Sequence, residues 1–379
     1  IDSDIPVIIV SAGPSLDKNI ELLRKAENRA FILATDTSVK YLLAYNIKFD
    51  AIVTVDGRKS IRHLQNEECL YYPIFTVPDA KSEILDNNYA RKIWLTGSGY
   101  LEVLYKKFGC YFPEYNCGGS VATAAFWIAG SLKSKTIILV GQDLAYSGDL
   151  THAGGVKIHN NEWSEETPLY IEGIDGKMVR TRSDWIGYLR WFENAIKHLN
   201  GVVEVIDATE GGAKIAGTKI MSLSDAIDKY CNNQFHFSDI LERTPVTFNK
   251  EKYKAVCKDI CNLKNEFHII EKVCNEGIIL SDRIMLLLSD KEIKWSEFEE
   301  SQKRIKDIQK TIQEQDIYSL LDEYISADIA DRLEVAAKGY DNDIEQFREN
   351  AVSVKVLFES LKNAVADLMP VLKQTIEEI

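Results

Sequence analysis

Residues Ile5–Leu23, IPVIIVSAGPSLDKNIELL, raise the question on which the fold turns: what does an apolar strand present through a Ser-Ala-Gly-Pro-Ser turn? Ile5 to Val10 is apolar and rich in β-branched residues, and a short run of that kind followed by Gly and Pro reads as a buried strand stopped by a turn. Ser15 is then placed to cap a helix carrying Leu16, Ile20, Leu22 and Leu23. The N-terminus of that helix faces the strand's carboxyl end and offers backbone N–H groups and partial positive charge to an anion. The turn has neither G-x-G-x-x-G nor a following Gly-Lys-Ser/Thr, which disfavours a dinucleotide fingerprint and a P-loop. The same residues also make an ordinary strand-to-helix turn without a ligand.

Comparable apolar runs recur at Ala30–Thr35, Ala51–Val55, Ile74–Val77, Ile93–Thr96, Thr136–Val140 and Val202–Ile206. Helix-like stretches lie between most of them: Ser38–Tyr45, Leu101–Phe108, Val121–Leu132 and Trp185–Leu199. This alternation predicts an α/β, Rossmann-like, mostly parallel sheet with helices on both faces. Pro168–Arg182, with Gly173 and Asp175-Gly176 between extended stretches, reads as an inserted β-hairpin. After Asp225 the pattern becomes helical. Ile305, Ile308 and Ile312, then Val354, Leu357, Phe358, Leu361, Val365 and Leu368, recur at three- and four-residue steps. We therefore expect a nucleotide-binding sheet domain over 1–224 and an all-α C-terminal domain over 225–379, with Gly339 and Pro370 as breaks or kinks.

The 379 residues carry a net charge of −13, which argues against a nucleic-acid surface. An anionic small ligand is still compatible if helix N-termini supply local positive potential. The seven cysteines, Cys69, Cys110, Cys117, Cys231, Cys257, Cys261 and Cys274, have no metal-ligand spacing, and we expect reduced thiols in a cytoplasmic protein. No stretch approaches the roughly 20 apolar residues of a membrane span, and no signal-peptide pattern opens the chain. The chain starts without Met and almost on a core strand, so further sequence upstream is expected.

Ligands of open α/β sheets gather at the strands' carboxyl ends. Those ends are unusually polar here: Ser11-Ala12-Gly13-Pro14-Ser15, Thr35-Asp36-Thr37-Ser38, Asp56-Gly57-Arg58, Thr96-Gly97-Ser98-Gly99, Cys117-Gly118-Gly119-Ser120 and Gly141-Gln142-Asp143. Each also reads as turn or cap chemistry, but six on one edge point to a site. The glycine-containing helix starts at Gly13 and Gly118-Gly119 suit a phosphate or carboxylate, and Asp36, Asp56 and Asp143 can hold ribose hydroxyls, a base edge or a cation. Past Asp143 the polar loop LAYSGDLTHAGG places His152 beside Thr151, where an imidazole can act as general base; a solvated loop histidine is the competing reading.

VIIVSAGPSL, ATDTSVKYLL, FDAIVTVDG, NCGGSVATAA, LVGQDLAYSGDLTHAGG and DATEGGAKIAGT resemble, in that order, the motility-associated-factor (Maf) glycosyltransferases over roughly residues 5–220. The core is also similar to bacterial sialyltransferases and, more distantly, to MptE-like 6-hydroxymethylpterin pyrophosphokinases. The Maf resemblance implies transfer of a nonulosonic acid, such as pseudaminic or legionaminic acid, from its CMP-activated form to Ser or Thr of flagellin. Carried over, Gly13, Pro14 and Ser15 would meet the CMP phosphate, and Asp36 with Thr37 and Asp56 the nucleotide side. Gly118, Gly119, Ser120, Gln142 and Asp143 would complete the donor cleft. Cys117 stands where an acidic residue is expected in some relatives, which puts a metal ligand there in doubt.

His152 is expected to deprotonate the acceptor hydroxyl, and Asp143 to stabilise oxocarbenium character. The alternatives are an ATP- and Mg²⁺-dependent pyrophosphokinase using Asp36, Asp56 or Asp143 as metal ligands, and a binding protein that keeps the fold without catalysis. The C-terminal helices are expected to dock the acceptor or to self-associate.

Overall fold

The computed structural model describes residues 1–58, 60–96, 99–107, 111–112, 115–148, 150–154, 156–157, 168–199, 201–245, 250–336 and 342–379. Gly97, Ser98, Phe108, Cys110, Gly155 and Gly339, named above, lie outside them. The strands are β1 (Val7–Val10), β2 (Phe31–Thr35), β3 (Ala51–Val53), β4 (Pro73–Thr76), β5 (Arg91–Trp94) and β6 (Thr136–Val140). Two small antiparallel pairs follow, β7 (Leu150–His152) with β8 (Val156–Lys157) and β9 (Leu169–Glu172) with β10 (Met178–Thr181); then come β11 (Glu204–Asp207) and β12 (Lys219–Ile220). The helices are α1 (Leu16–Asn19), α2 (Asp36–Ala44), α3 (Ser82–Asp86), α4 (Gly99–Lys107), α5 (Val121–Ser131), α6 (Ser183–His198), α7 (Leu223–Tyr230) and α8 (Phe237–Arg243). Four longer ones follow: α9 (Lys250–Leu287), α10 (Trp295–Gln313), α11 (Tyr318–Ala336) and α12 (Asp343–Glu378).

Every residue of β1, β2 and β6 is buried, as continuous β-branched and aliphatic runs require of central parallel strands. The main sheet has the order β12-β11-β6-β1-β2-β3-β4-β5, and all its pairings are parallel. Val7 lies opposite Phe31 on one side and Ile137 on the other. The chain builds outward from β1 through β5, then returns to place β6 against the other edge of β1. The strand order therefore reverses between β1 and β6, the topological switch point at which such sheets bind ligands.

Alternate residues of each strand feed two cores. Ile8, Val10, Ile32, Ala34, Ile138 and Val140 pack with Leu16 of α1, Val39 and Leu42 of α2, and Leu223 and Ile227 of α7. Val7, Ile9, Phe31, Leu33, Ile137 and Leu139 pack with Ala125 and Ile128 of α5 and with Leu189, Phe192 and Ile196 of α6. Helices thus cover both faces, as the alternation of apolar runs predicts. Two strands begin earlier or later than their apolar runs. β5 starts at Arg91, a charged residue that an edge strand can carry because Arg91 donates to the Thr244 carbonyl and Lys92 to the Leu85 carbonyl. β11 starts at Glu204 because the preceding Gly201 is in a left-handed conformation and leaves Val202 exposed on the turn.

Residues 1–96 with 112–245 form one compact unit, and residues 97–111 with 246–379 form a second. The core of the second unit contains Leu263, Phe267, Ile270 and Cys274 of α9, Ile305, Ile308 and Ile312 of α10, and Phe358, Leu361 and Val365 of α12. Tyr100 and Leu104 of α4 belong to the same core. α12 runs through Pro370 without a break. Pro370 is exposed, so the carbonyl deprived of its N–H partner there faces solvent instead of an apolar core. Among the described residues no helix is long and apolar enough to cross a membrane, and the six described cysteines are free thiols.

Gly277 of α9 faces the buried ring of Phe358, and a Cβ there would collide with the ring. We expect Gly277→Val to destabilise the helical unit by about 2 kcal/mol, because overpacking outweighs the small helix-propensity gain of a β-branched residue. Hydrogen exchange of peptides from α9 and α12 measures the effect; unchanged protection would show that the ring moves aside at no cost.

Candidate functional site

A cleft of about 1110 Å³ runs along the carboxyl edge of the main sheet, and residues following each of β1 to β6 contribute to its wall. β1 supplies Ser11, Ala12 and Gly13; β2 leads to Asp36 and Thr37; β3 leads to Asp56, Gly57 and Arg58; β6 leads to Gly141, Gln142 and Asp143. Gly119, Ser120, Val121 and Ala122 bring the start of α5 to the same space, β7 brings His152, and Arg182, Trp185 and Tyr188 bring the start of α6. Nine of the sequence-predicted residues therefore line one cavity: Gly13, Asp36, Thr37, Asp56, Gly119, Ser120, Gln142, Asp143 and His152. Pro14, Ser15 and Gly118 stand outside its lining.

Ser15 acts through another residue. Its N–H and hydroxyl both donate to Asp143 Oδ2, at 3.2 and 2.8 Å. The anion at the start of α1 is thus the protein's own carboxylate, delivered from the loop after β6. Gly13 is glycine for the same reason, since a Cβ there would collide with that carboxylate and with the Gly141 carbonyl, to which the Gly13 N–H donates at 2.8 Å. Ser11 donates its hydroxyl to Gln142 Oε1 at 2.7 Å. The turn quoted at the outset is therefore a lock across the switch point, and Gly13 contributes backbone to the cleft wall. Gly118 lacks a Cβ because Trp191 of α6 occupies that space.

Burial is the largest influence on Asp143 and raises its pKa from 3.8 to about 6; the Ser15 donors and Lys18 oppose it, and the nearby Asp207 adds to it. Asp207, at the end of β11, is itself buried and raised for the same reason. Asp36 is also buried. Its Oδ1 accepts from the Thr37 N–H at 2.6 Å and from the Thr37 hydroxyl at 3.0 Å, and its Oδ2 accepts from Thr54 at 3.3 Å. Asp56 accepts from the Arg58 N–H at 2.8 Å, which shapes the turn after β3.

Ser120 caps α5 by accepting from the Thr123 N–H at 3.2 Å, while Thr123 Oγ1 accepts from the Gly118 and Ser120 N–H groups at 3.0 and 3.1 Å. The arm bearing His152 is pinned at several points. Ala153 donates its N–H to the Ala12 carbonyl, its own carbonyl accepts from the Tyr41 hydroxyl, and the Gly154 N–H donates to Asp17. His152 Nδ1 lies 3.0 Å from Thr151 Oγ1.

Arg182, Trp185 and Tyr188 escape sequence reading because Arg182 closes a hairpin and the two aromatic residues fall at helical spacing, which reads as ordinary core. The usable signal was position, since Arg182 directly precedes a helix packed on the sheet. Among the described residues no three His, Cys, Asp or Glu side chains converge as a metal cage requires. Both oxygens of Asp36 and Oδ2 of Asp143 accept from hydroxyl and backbone donors.

Residues 1–149 match the model of the family described as 6-hydroxymethylpterin diphosphokinase MptE-like. Among solved structures, that of a Maf glycosyltransferase from Magnetospirillum magneticum AMB-1 superposes with a TM-score of 0.56 at 13% identity, over 99% of this chain and 55% of that chain. The chain shares the fold of that structure. It spans about half the length of that Maf chain, and both units take part in the likeness. The resemblance read from the sequence, to Maf proteins with an MptE-like core, is met by the family model and by the fold. No curated protein matches the chain.

The raised Asp143 pKa makes a signed statement about stability. The folded state holds this proton up to about pH 6 and the unfolded chain releases it near 3.8. Its contribution therefore falls as pH rises between those values and is constant above, by roughly 3 kcal/mol in all. We expect Asp143→Asn to gain stability relative to the parent as pH goes from 4 to 7, measured by urea denaturation at intervals. Parallel pH profiles for the two proteins would mean that Asp143 binds its proton equally in the folded and unfolded states.

Proposed function

We propose that this chain is a glycosyltransferase that moves a nonulosonic acid of pseudaminic, legionaminic or sialic type from a CMP-activated donor to Ser or Thr of flagellin. In this reading it acts in the cytoplasm and serves flagellum assembly and motility. The observation that carries the reading is the Maf likeness over 99% of the chain, helical unit included, together with a cleft at the sheet's switch point large enough for a nucleotide sugar. Residues 1–224 would bind the donor. Residues 225–379 would dock the acceptor or join two copies.

The chemistry asks little of the protein beyond position. The acceptor oxygen attacks the anomeric carbon, its proton passes to His152, and the bond from that carbon to the phosphate oxygen breaks to release CMP. The phosphate is already a good leaving group and needs donors around it. The amides of Val121 and Ala122, at the cleft wall and the start of α5, would supply them. Asp36, Thr37 and Asp56 would face the nucleotide, with Gln142 beside them. Asp143, held by Ser15 through Oδ2, would turn Oδ1 to the positive charge developing on the sugar.

The match of residues 1–149 to the MptE-like model favours a second reading, an ATP- and Mg²⁺-dependent pyrophosphokinase. Calorimetry with CMP and with ATP plus Mg²⁺ separates the two: the transferase binds CMP, and the kinase binds only the ATP complex. His152→Ala should lower transfer to flagellin by about a hundredfold to ten-thousandfold while CMP affinity is kept. Turnover within a few-fold of the parent would eliminate His152 as the base.

A further inference from the structure

Cations are scarce among the described residues that line the cleft. Among the described lining residues Arg58 and Arg182 carry the fixed positive charge, against the carboxylates of Asp36, Asp56, Asp79 and Asp143. Arg58 is exposed. Arg182 is held in place from two directions. Its Nε and Nη2 donate to the two oxygens of Asp184 at 2.7 and 2.8 Å, and its guanidinium lies over the Trp185 ring, 4.3 Å from the centroid. Asp184 is itself fixed by accepting from the Trp185 N–H at 2.9 Å, and Trp185 packs against Tyr146 with ring centroids 4.8 Å apart and planes tilted by 46°. One edge and one face of the guanidinium are thus committed. Nη1 makes no hydrogen bond to the described residues, and it belongs to a side chain that lines the cavity.

A planar guanidinium with a spare donor edge, already immobilised, is suited to an oxyanion, because little rotamer entropy is lost when the second partner arrives. We propose that Arg182 is the anion-reading residue of the cleft, binding a carboxylate or phosphate oxygen of the ligand through its Nη1 edge, with Asp184 and Trp185 as positioning residues. This rests on the reading of the cleft as a donor site and adds to it the residue that would select an acidic sugar over a neutral one. The two sources of the oxyanion, the sugar's carboxylate and the nucleotide's phosphate, share this chemistry and differ in what the variants lose.

The test is calorimetry of the intact chain, as parent, Arg182→Ala, Arg182→Lys and Asp184→Asn, with CMP and with CMP-N-acetylneuraminic acid. Arg182→Ala should weaken the CMP-sugar by roughly ten- to a hundredfold, Arg182→Lys should restore part of it, and Asp184→Asn should cost a few-fold by freeing the fork. Unaltered CMP binding in Arg182→Ala assigns the contact to the carboxylate, and an equal loss for CMP assigns it to the phosphate. Both ligands bound within twofold of the parent would overturn the proposal. Failure of the parent to bind either ligand would instead count against the donor reading. Arg182 is then judged from its side-chain N–H signals in the parent, titrated with acetate and with inorganic phosphate. Movement of those signals upholds an anion-reading edge, and signals that stay still overturn it.

Discussion

The junction of β1 and β6 at the carboxyl edge of the sheet depends on the bond between Asp143 and Ser15. These residues are separated by 128 positions in the chain, and their contact joins the loop after β6 to the start of α1 across the point where the strand order reverses. Charge and geometry both favour it, since a carboxylate at a helix start meets unsatisfied N–H groups and the positive end of aligned peptide dipoles. The cost is a buried carboxylate whose ionised form is poorly solvated, which is why its pKa rises to about 6 despite two donors and a lysine nearby. Gly13 and Gly212 keep the approach open: a side chain at either would strike Asp143.

Because the protein places its own carboxylate at that helix start, positive potential for an anionic ligand of the proposed kind would come from elsewhere along the cleft. The start of α5 has its Ser120 cap and backbone amides at the wall, and Arg182 lines the cleft with an Nη1 that makes no hydrogen bond to the described residues. Hydroxyls of Thr37 and Thr54 satisfy Asp36, so this carboxylate is shaped as an acceptor held in place. A chain of net charge −13 can bind an anionic ligand on these terms, since the field inside a cleft is set by nearby oriented groups and not by the total.

The sheet was legible where burial leaves a continuous mark, as in VIIV, FILAT and TIILV, because a strand covered on both faces has no polar side to interrupt it. It was less legible at β5 and β11. There Arg91 and Lys92 find carbonyl partners at Thr244 and Leu85, and Asp207 is a buried carboxylate within a strand, neither of which propensity anticipates. The polar strand ends identified the cleft, since topology alone gathers them. The partner of each group was hidden. Nothing local in Ser15 announces Asp143, and nothing in Gly118 announces Trp191. Arg182 reads as the end of a hairpin until α6 is seen to deliver it to the wall. Pro370, an obvious helix breaker in isolation, is tolerated because it lies on the solvated side of α12.

The place of β6 in the sheet has a consequence for synthesis. β1 pairs with β2 from residues a few tens of positions later, but its other edge waits for Ile137–Val140, about a third of the chain further on. Until those residues leave the ribosome, the emerging chain holds a wholly apolar strand with one row of backbone donors and acceptors uncovered, the kind of edge that recruits strands from other molecules. The long separation also raises contact order, so closure of the central pair is expected to be slow relative to the helices that flank it. Fragments that stop short of Val140 would present this edge permanently and associate through it, whereas the stretch matched by the family model, residues 1–149, ends only after β6 has covered it.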